Sequence, residues 1–282
     1  MIFFAFIFNW AILKEYAGME LAGPNIRTRE MDFSPPSTER SINRPNTEPK
    51  NQHGHHQSVF QILNEAKIAQ THDLLKRKFS SEFDLLLVFK IKKIEETLRT
   101  HALQIKSDSF FDEWGPLLHD GAQTWVGLDF QILQSTYHDL YQIFDHIKPR
   151  KNEMIIDLGA GYGRLGLFLH HFYPETQFLG LELVQERVDE AKRVYADYQL
   201  KNKEMKVSDL SLITELPEGD FYFIYDFGSD EHIKKILSLF KTTPGKTLIV
   251  KGQICRRLIE RDPYFSEGFK IKKCDDVYVY LT

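Results

Sequence analysis

The sequence predicts an α/β fold: a doubly wound sheet that ends in an antiparallel hairpin, with a helical N-terminal lobe ahead of it. Three observations carry this. Short apolar runs alternate with amphipathic stretches from Met154 onward, as parallel strands joined by crossover helices require. Gly159, Gly161 and Gly163 fall between the first such run and the first such stretch. The chain closes on two short apolar runs, 269–274 and 277–281, joined by Asp275-Asp276, with no helical period between them.

Composition bounds the rest. The chain has 282 residues, 42% of them hydrophobic, and a formal net charge of −4, enough for one or two domains with a sizeable core. Mild acidity argues against a dedicated nucleic-acid binder. Cys255 and Cys274 are the only cysteines, which gives neither a disulfide framework nor a zinc spacing. The expected compartment is therefore the reducing cytoplasm.

Residues 1–57 are expected to form an arm. Ile2 to Leu13 is nearly all apolar but too short to span a bilayer, and no Lys or Arg precedes it as in a signal peptide. Two readings stay open: a helix that touches a membrane, or a start upstream of the true one, with Met19 and Met31 as alternatives. Glu20 to Gln57 holds five of the eleven prolines and reads as disordered. His53, His55 and His56 lie there without a rigid frame, so no metal site is expected.

Residues 58–150 are expected to be the helical lobe. Three apolar stripes mark helices: Val59, Ile62, Leu63 and Ala66; Leu87, Ile91, Ile94 and Leu98; and Leu133, Tyr137, Leu140, Phe144 and Ile147. Pro149 stops the third. The polar residues Gln123, Thr124, Gln134, Ser135 and Thr136, with Trp125, precede it.

Residues 151–282 are expected to be the sheet domain. Met154 to Leu158 is its first strand, and Leu165, Phe168, Leu169 and Phe172 stripe the helix after the glycines. Gln177 to Leu183 is the next strand, followed by a helix striped by Val184, Val188, Ala191 and Tyr195. Met205 to Val207 and Asp220 to Phe227 are two more. Ile233, Ile236, Leu237 and Phe240 mark a helix, and Lys246 to Lys251 a fifth strand.

A glycine turn between strand and helix lets a ligand approach bare backbone and the free N–H groups of a helix N-terminus. Two ligand classes use it. Gly161, Gly163 and Gly166 fit the dinucleotide spacing, and Glu182 lies 21 residues after Gly161, near the expected ribose acid. Asp157 opposes that reading, because a dinucleotide strand runs apolar to its first glycine. Ile155 to Gly163, Ile-Ile-Asp-Leu-Gly-Ala-Gly-Tyr-Gly, resembles the first motif of the class I, Rossmann-like, seven-strand S-adenosylmethionine-dependent methyltransferases.

That resemblance, over roughly residues 120–282, implies a methyltransferase with S-adenosyl-L-methionine as cofactor. It implies Asp157, Gly159, Ala160, Gly161 and Gly163 near the methionine end. Glu182 and Leu183 would lie at the ribose, Asp209 and Leu210 at the adenine, and Asp226 at the substrate side. In-line alignment of the acceptor does most of the work, and a base is needed only for a protonated acceptor. Asp226, Tyr225 and Tyr137 are the candidate catalytic groups. Asp226-Phe227-Gly228-Ser229 departs from the Asn/Asp-Pro-Pro-aromatic pattern of adenine and glutamine methylation, so the expected acceptor is a protein side chain or small molecule. Lys251, Arg256, Arg257 and Arg261 could meet an acidic substrate or be solvated. A non-catalytic cofactor-binding module and an NAD-dependent oxidoreductase remain as alternatives.

Overall fold

The computed structural model describes residues 60, 73–104, 117–118, 125–126, 134–265, 268–271 and 276–282. Residues 2–13, His53, His55, His56, the stripe at 59–66 apart from Phe60, Gln123, Thr124, Leu133 and Cys274 lie outside them, as does the side chain of Trp125.

The elements, in chain order, are α1 (Asp73–Leu86), α2 (Ile91–Gln104), a two-residue pair β1 (Leu117–Leu118) and β2 (Trp125–Val126), and α3 (Tyr137–Ile147). Then follow β3 (Met154–Leu158), α4 (Arg164–Phe172), β4 (Gln177–Glu182), α5 (Gln185–Asp197), β5 (Lys203–Val207) and β6 (Phe221–Tyr225). The chain continues through α6 (Asp230–Phe240), β7 (Thr247–Lys251), α7 (Gln253–Glu260), β8 (Phe269–Lys270) and β9 (Val277–Leu281).

Seven strands form the main sheet in the order β5-β4-β3-β6-β7-β9-β8. The first five run parallel, and β9 enters antiparallel to both β7 and β8. Strand order reverses at β3, which pairs β4 on one side and β6 on the other. Ligands bind at such a switch point, beyond the carboxyl ends of the strands.

Alternation along each strand divides the core. Ile155, Phe223 and Ile249 face α3, α4 and α5, where Leu140, Phe144, Phe168, Val188 and Ala191 are buried. Ile156, Tyr222, Ile224 and Leu248 face the other way, onto Ile233, Ile236 and Phe240 of α6 and Cys255 and Ile259 of α7. Helices on both faces make the sheet doubly wound.

The N-terminal helices share this core. Phe83, Leu87, Phe89 and Ile91 pack in the same cluster as Tyr137, Leu165 and Phe168. Helix α3 starts where Thr136 accepts the N–H of Asp139 at 3.1 Å, an N-cap worth about 1 kcal/mol. It ends at Lys148, in the left-handed region at φ 51°, just before Pro149.

Four expectations change. The stripe from Leu87 to Leu98 is not one helix: α1 ends at Leu86, and a turn at Val88 (φ 58°) separates it from α2. The third strand is longer than its apolar run, from Lys203. The crossover from β5 to β6, residues 208–220, carries no helix. Helix α7, unmarked by the stripes above, lies between β7 and the terminal hairpin.

Candidate functional site

The turn after β3 lies at the switch point. Gly159, Gly161 and Gly163 all have positive φ (93°, 55° and 69°), a conformation that L side chains adopt only with strain. A Cβ at Gly159 would press on Phe227 Cβ at 2.9 Å, so the loop after β6 packs directly against the turn. Below it, Tyr195 of α5 donates its hydroxyl to the Gly163 carbonyl at 2.5 Å. That hydroxyl fills the space a side chain at Gly163 or Gly166 would need. The spacing Gly163-x-x-Gly166 thus serves the contact between α4 and α5.

Two carboxylates stand at this end of the sheet. Glu182, 3% exposed, accepts the N–H of Gly161 at 2.9 Å and of Val184 at 3.0 Å. Arg187 Nη1 lies 3.7 Å from it. A carboxylate has about four acceptor positions, so capacity for ligand hydroxyls remains. Asp157 is buried on the same face. Burial, reinforced by the charge of Glu182, pushes its pKa up to about 8. A cation placed beside it would favour the ionised form.

The rim opposite comes from the segment before α3. Gln134 lies beside Gly161: a Cβ on that glycine would meet Gln134 Cγ at 3.9 Å. Among the described residues, Gln134 Nε2 and Ser135 Oγ are both buried with no hydrogen-bond partner. Buried polar atoms are normally satisfied, so a pair left open beside a glycine turn fits a polar ligand group.

The N-terminal helices hold this assembly in place. Arg164, first residue of α4, pairs with Asp84 of α1 and donates to the Ser135 carbonyl at 2.8 Å. On α2, Glu95 accepts the Tyr162 hydroxyl at 2.8 Å and Arg187 Nε at 2.9 Å. One carboxylate on α2 therefore reaches both the glycine turn and, through Arg187, Glu182. Sequence reading missed Asp84, Glu95, Arg187 and Tyr195, because each acts through a partner far along the chain.

The remaining expected residues are placed as follows. Ala160 is buried, and its N–H bonds the Leu181 carbonyl at 2.9 Å. Leu183 follows β4, half-buried. Asp209, half-buried, accepts the Ser211 N–H and hydroxyl at 2.8 and 2.6 Å, which folds its side chain into a local turn beside buried Leu210.

Two candidate catalytic groups have other work. Asp226 was expected to face the acceptor. Its backbone is left-handed (φ 26°), and its carboxylate instead accepts the Cys255 and Ile254 N–H groups at 2.8 and 3.2 Å. Those are free donors of the first turn of α7. Gly252 makes room: a Cβ there would fall 2.3 Å from that carboxyl. Tyr137 was expected as a catalytic group. It is fully buried, donates to Asp84 at 3.1 Å and lies under Arg164, and burial pushes its hydroxyl well above the ordinary value. Tyr225 stays half-buried at the end of β6, with Lys251 Nζ 4.9 Å above its ring.

Three of the four basic residues at and after the end of β7 have partners, and Arg261 is exposed. Lys251 bonds Asp139 at 2.6 Å, Arg256 bonds Glu260 at 2.7 Å, and Arg257 Nη2 donates to both carboxylate oxygens of Asp230 at 2.8 Å.

No family model and no curated protein matches the chain. Among solved structures it is similar to the YcgJ protein from Bacillus subtilis at 15% identity, over 40% of this chain and 50% of that one, TM-score 0.35. It is similar to PKMT2 from Rickettsia typhi in complex with AdoHcy at 24% identity, over 36% of this chain and 21% of that one, TM-score 0.31. It is also similar to an RNA methyltransferase from Salinibacter ruber in complex with S-adenosyl-L-homocysteine at 14% identity, over 52% and 90%, TM-score 0.41. The chain spans half or less of the first two proteins' length. At these identities and TM-scores, the fold rests on the strand order itself rather than on the likenesses. Five parallel strands with the switch at β3, helices on both faces and an antiparallel terminal pair make a Rossmann-like, doubly wound α/β fold.

Proposed function

We propose that the chain is an S-adenosylmethionine-dependent methyltransferase. The observation that carries this reading is the pair of buried carboxylates, Asp157 and Glu182, on either side of a positive-φ glycine turn at the switch point. A nicotinamide dinucleotide presents a pyrophosphate to such a turn, and an added anion there raises the cost of ionising Asp157, which burial and the charge of Glu182 already disfavour. A ligand with a sulfonium and an ammonium group has the opposite preference.

The chain's own groups fit such a cofactor. Gln134 Nε2 and Ser135 Oγ would take the amino-acid carboxylate, which gives these two buried groups the partner they lack. Glu182 would accept the ribose hydroxyls with its open positions. Asp209 and Leu210 would border the adenine. The bound cofactor supplies an activated methyl on a good leaving group, so the protein mainly aligns the acceptor.

The acceptor is read as a protein side chain or a small molecule. Gly228, rather than a proline pair, follows Asp226-Phe227, which leaves the wall beside the methyl free of a stiff stacking face. The net charge of −4 disfavours a nucleic acid. Tyr225 is the candidate group that remains part-exposed at this edge. The commitment of Asp226 and Tyr137 to structural hydrogen bonds favours, as a second reading, a cofactor-binding module without catalysis.

Radiolabelled S-adenosylmethionine incubated with a fractionated lysate separates these. The expected result is label in a discrete protein band or small-molecule fraction, absent with Gly161→Arg. Label only in RNA would overturn the acceptor reading. No transfer to any fraction would favour the non-catalytic module.

A further inference from the structure

Seven large apolar side chains are exposed among the described residues, and three fall within four positions: Leu85 at 69%, Leu86 at 50% and Val88 at 63%. They form the corner between α1 and α2. Backbone bonds make the corner without help from these side chains, Val88 N–H to the Leu85 carbonyl at 2.9 Å and Phe89 N–H to the Asp84 carbonyl at 3.1 Å. Val88 is β-branched, yet sits at φ 58°, where Asn or Gly would be at ease.

The corner is also braced from behind. Arg193 of α5 donates to the Val88 carbonyl at 2.7 Å, and the Tyr198 hydroxyl approaches the Leu86 carbonyl at 3.4 Å. Three aliphatic side chains are therefore held outward on a stiff support. Exposed Lys90, Lys92 and Lys93 follow immediately. A cavity of about 310 Å³ opens beside them, with Leu85, Phe89 and Ile91 as its apolar part and Ser81, Asp84, Glu96 and the three lysines as its polar part, so that cations outnumber carboxylates three to two.

We propose that the α1–α2 corner docks on an anionic phospholipid bilayer. Leu85, Leu86 and Val88 enter the interface, and Lys90, Lys92 and Lys93 meet the lipid phosphates. An apolar tip with cationic shoulders is the arrangement that binds such a surface, and neither half suffices alone. The whole chain, at −4, is repelled by anionic lipid, so attraction comes from this local patch. Docking does not depend on the cofactor reading. It would place the membrane one helical turn from Glu95, which bonds the glycine turn.

The test is co-sedimentation of the full chain with vesicles of phosphatidylcholine, alone or with a minority of phosphatidylserine. Three lysines at the surface give an expected preference of about a hundredfold for the mixed vesicles. Replacing Lys90, Lys92 and Lys93 together by Glu removes that preference. Leu85→Asp lowers binding about tenfold. Val88→Asn lowers it as well, while the melting temperature holds or rises, because Asn tolerates the left-handed backbone; loss of binding is then not loss of fold. Failure of the full chain to bind mixed vesicles overturns the proposal. So does binding that survives these substitutions, which would place the contact elsewhere, for example in residues 2–13. If Leu85→Asp instead dissociates a dimer and leaves vesicle binding unchanged, a second copy covers the corner and the proposal fails.

Discussion

Arg164→Met destabilises the fold by about 3–5 kcal/mol, the usual loss when one partner is stripped from a buried ion pair. Arg164 and Asp84 are 4% and 5% exposed at their side chains, so neither charge has water to fall back on. Met keeps most of the apolar volume, and the loss is therefore electrostatic. Asp84 already has its pKa raised by burial, against the pull of Arg164. Without the guanidinium it rises further, and the carboxyl can escape its penalty by taking a proton. The destabilisation is thus full near neutral pH and shrinks as pH falls toward the ordinary carboxylate range. Urea unfolding at both ends of that range measures it. A loss under about 1 kcal/mol near neutral pH would show that α1 is not anchored to the glycine turn through this pair. The same variant frees the Ser135 carbonyl, so ligand binding should weaken even where the fold survives.

The second large effect has opposite signs for stability and for binding. Asp157→Asn should stabilise the ligand-free protein at alkaline pH. With its pKa at about 8, the native Asp157 keeps a proton that the unfolded chain releases near its ordinary value of 3.8. Between those values the native state holds more protons than the unfolded one, so Asp157 makes stability fall as pH rises. Each unit is worth about 1.4 kcal/mol, which makes the gain from Asn several kcal/mol above pH 8 and negligible below about pH 4. Comparing the two proteins across pH cancels the other titrations. Yet Asn cannot become an anion for a sulfonium or ammonium, so the variant should bind such a ligand more weakly. Equal pH profiles for the two proteins would mean that Asp157 is ionised in the native state.

The sheet was legible because its strands are short, apolar and separated by local punctuation. Each pattern from Met154 to Phe240 maps onto an element within a few residues. Helix α7 escaped because its pattern, Ile254, Cys255, Leu258 and Ile259, is brief and broken by Arg256-Arg257. Its N-terminus is capped by Asp226, 28 and 29 residues away, a contact no local window contains. The break between α1 and α2 was hidden for the opposite reason: Leu87 and Ile91 keep helical spacing across a turn that is not helical. The glycines and Asp157 could be read, since one motif holds them, and Glu182 from its place at the end of the next strand. Their supports could not. Arg164 reaches 80 residues back to Asp84, and Arg187 reaches 92 back to Glu95. Asp226 shows the limit most plainly: its position at a strand end was right, but a left-handed backbone turned its carboxylate to a helix.

Isothermal titration of the full chain with S-adenosylhomocysteine tests the central claim most directly, with a nicotinamide dinucleotide as the parallel titrant. The account predicts saturable binding of S-adenosylhomocysteine alone. Glu182→Ala should weaken it by about 1–3 kcal/mol, the usual loss for hydrogen bonds to a charged group. Binding of the dinucleotide instead, or an unchanged dissociation constant with Glu182→Ala, would contradict the assignment of this turn and this carboxylate to the cofactor.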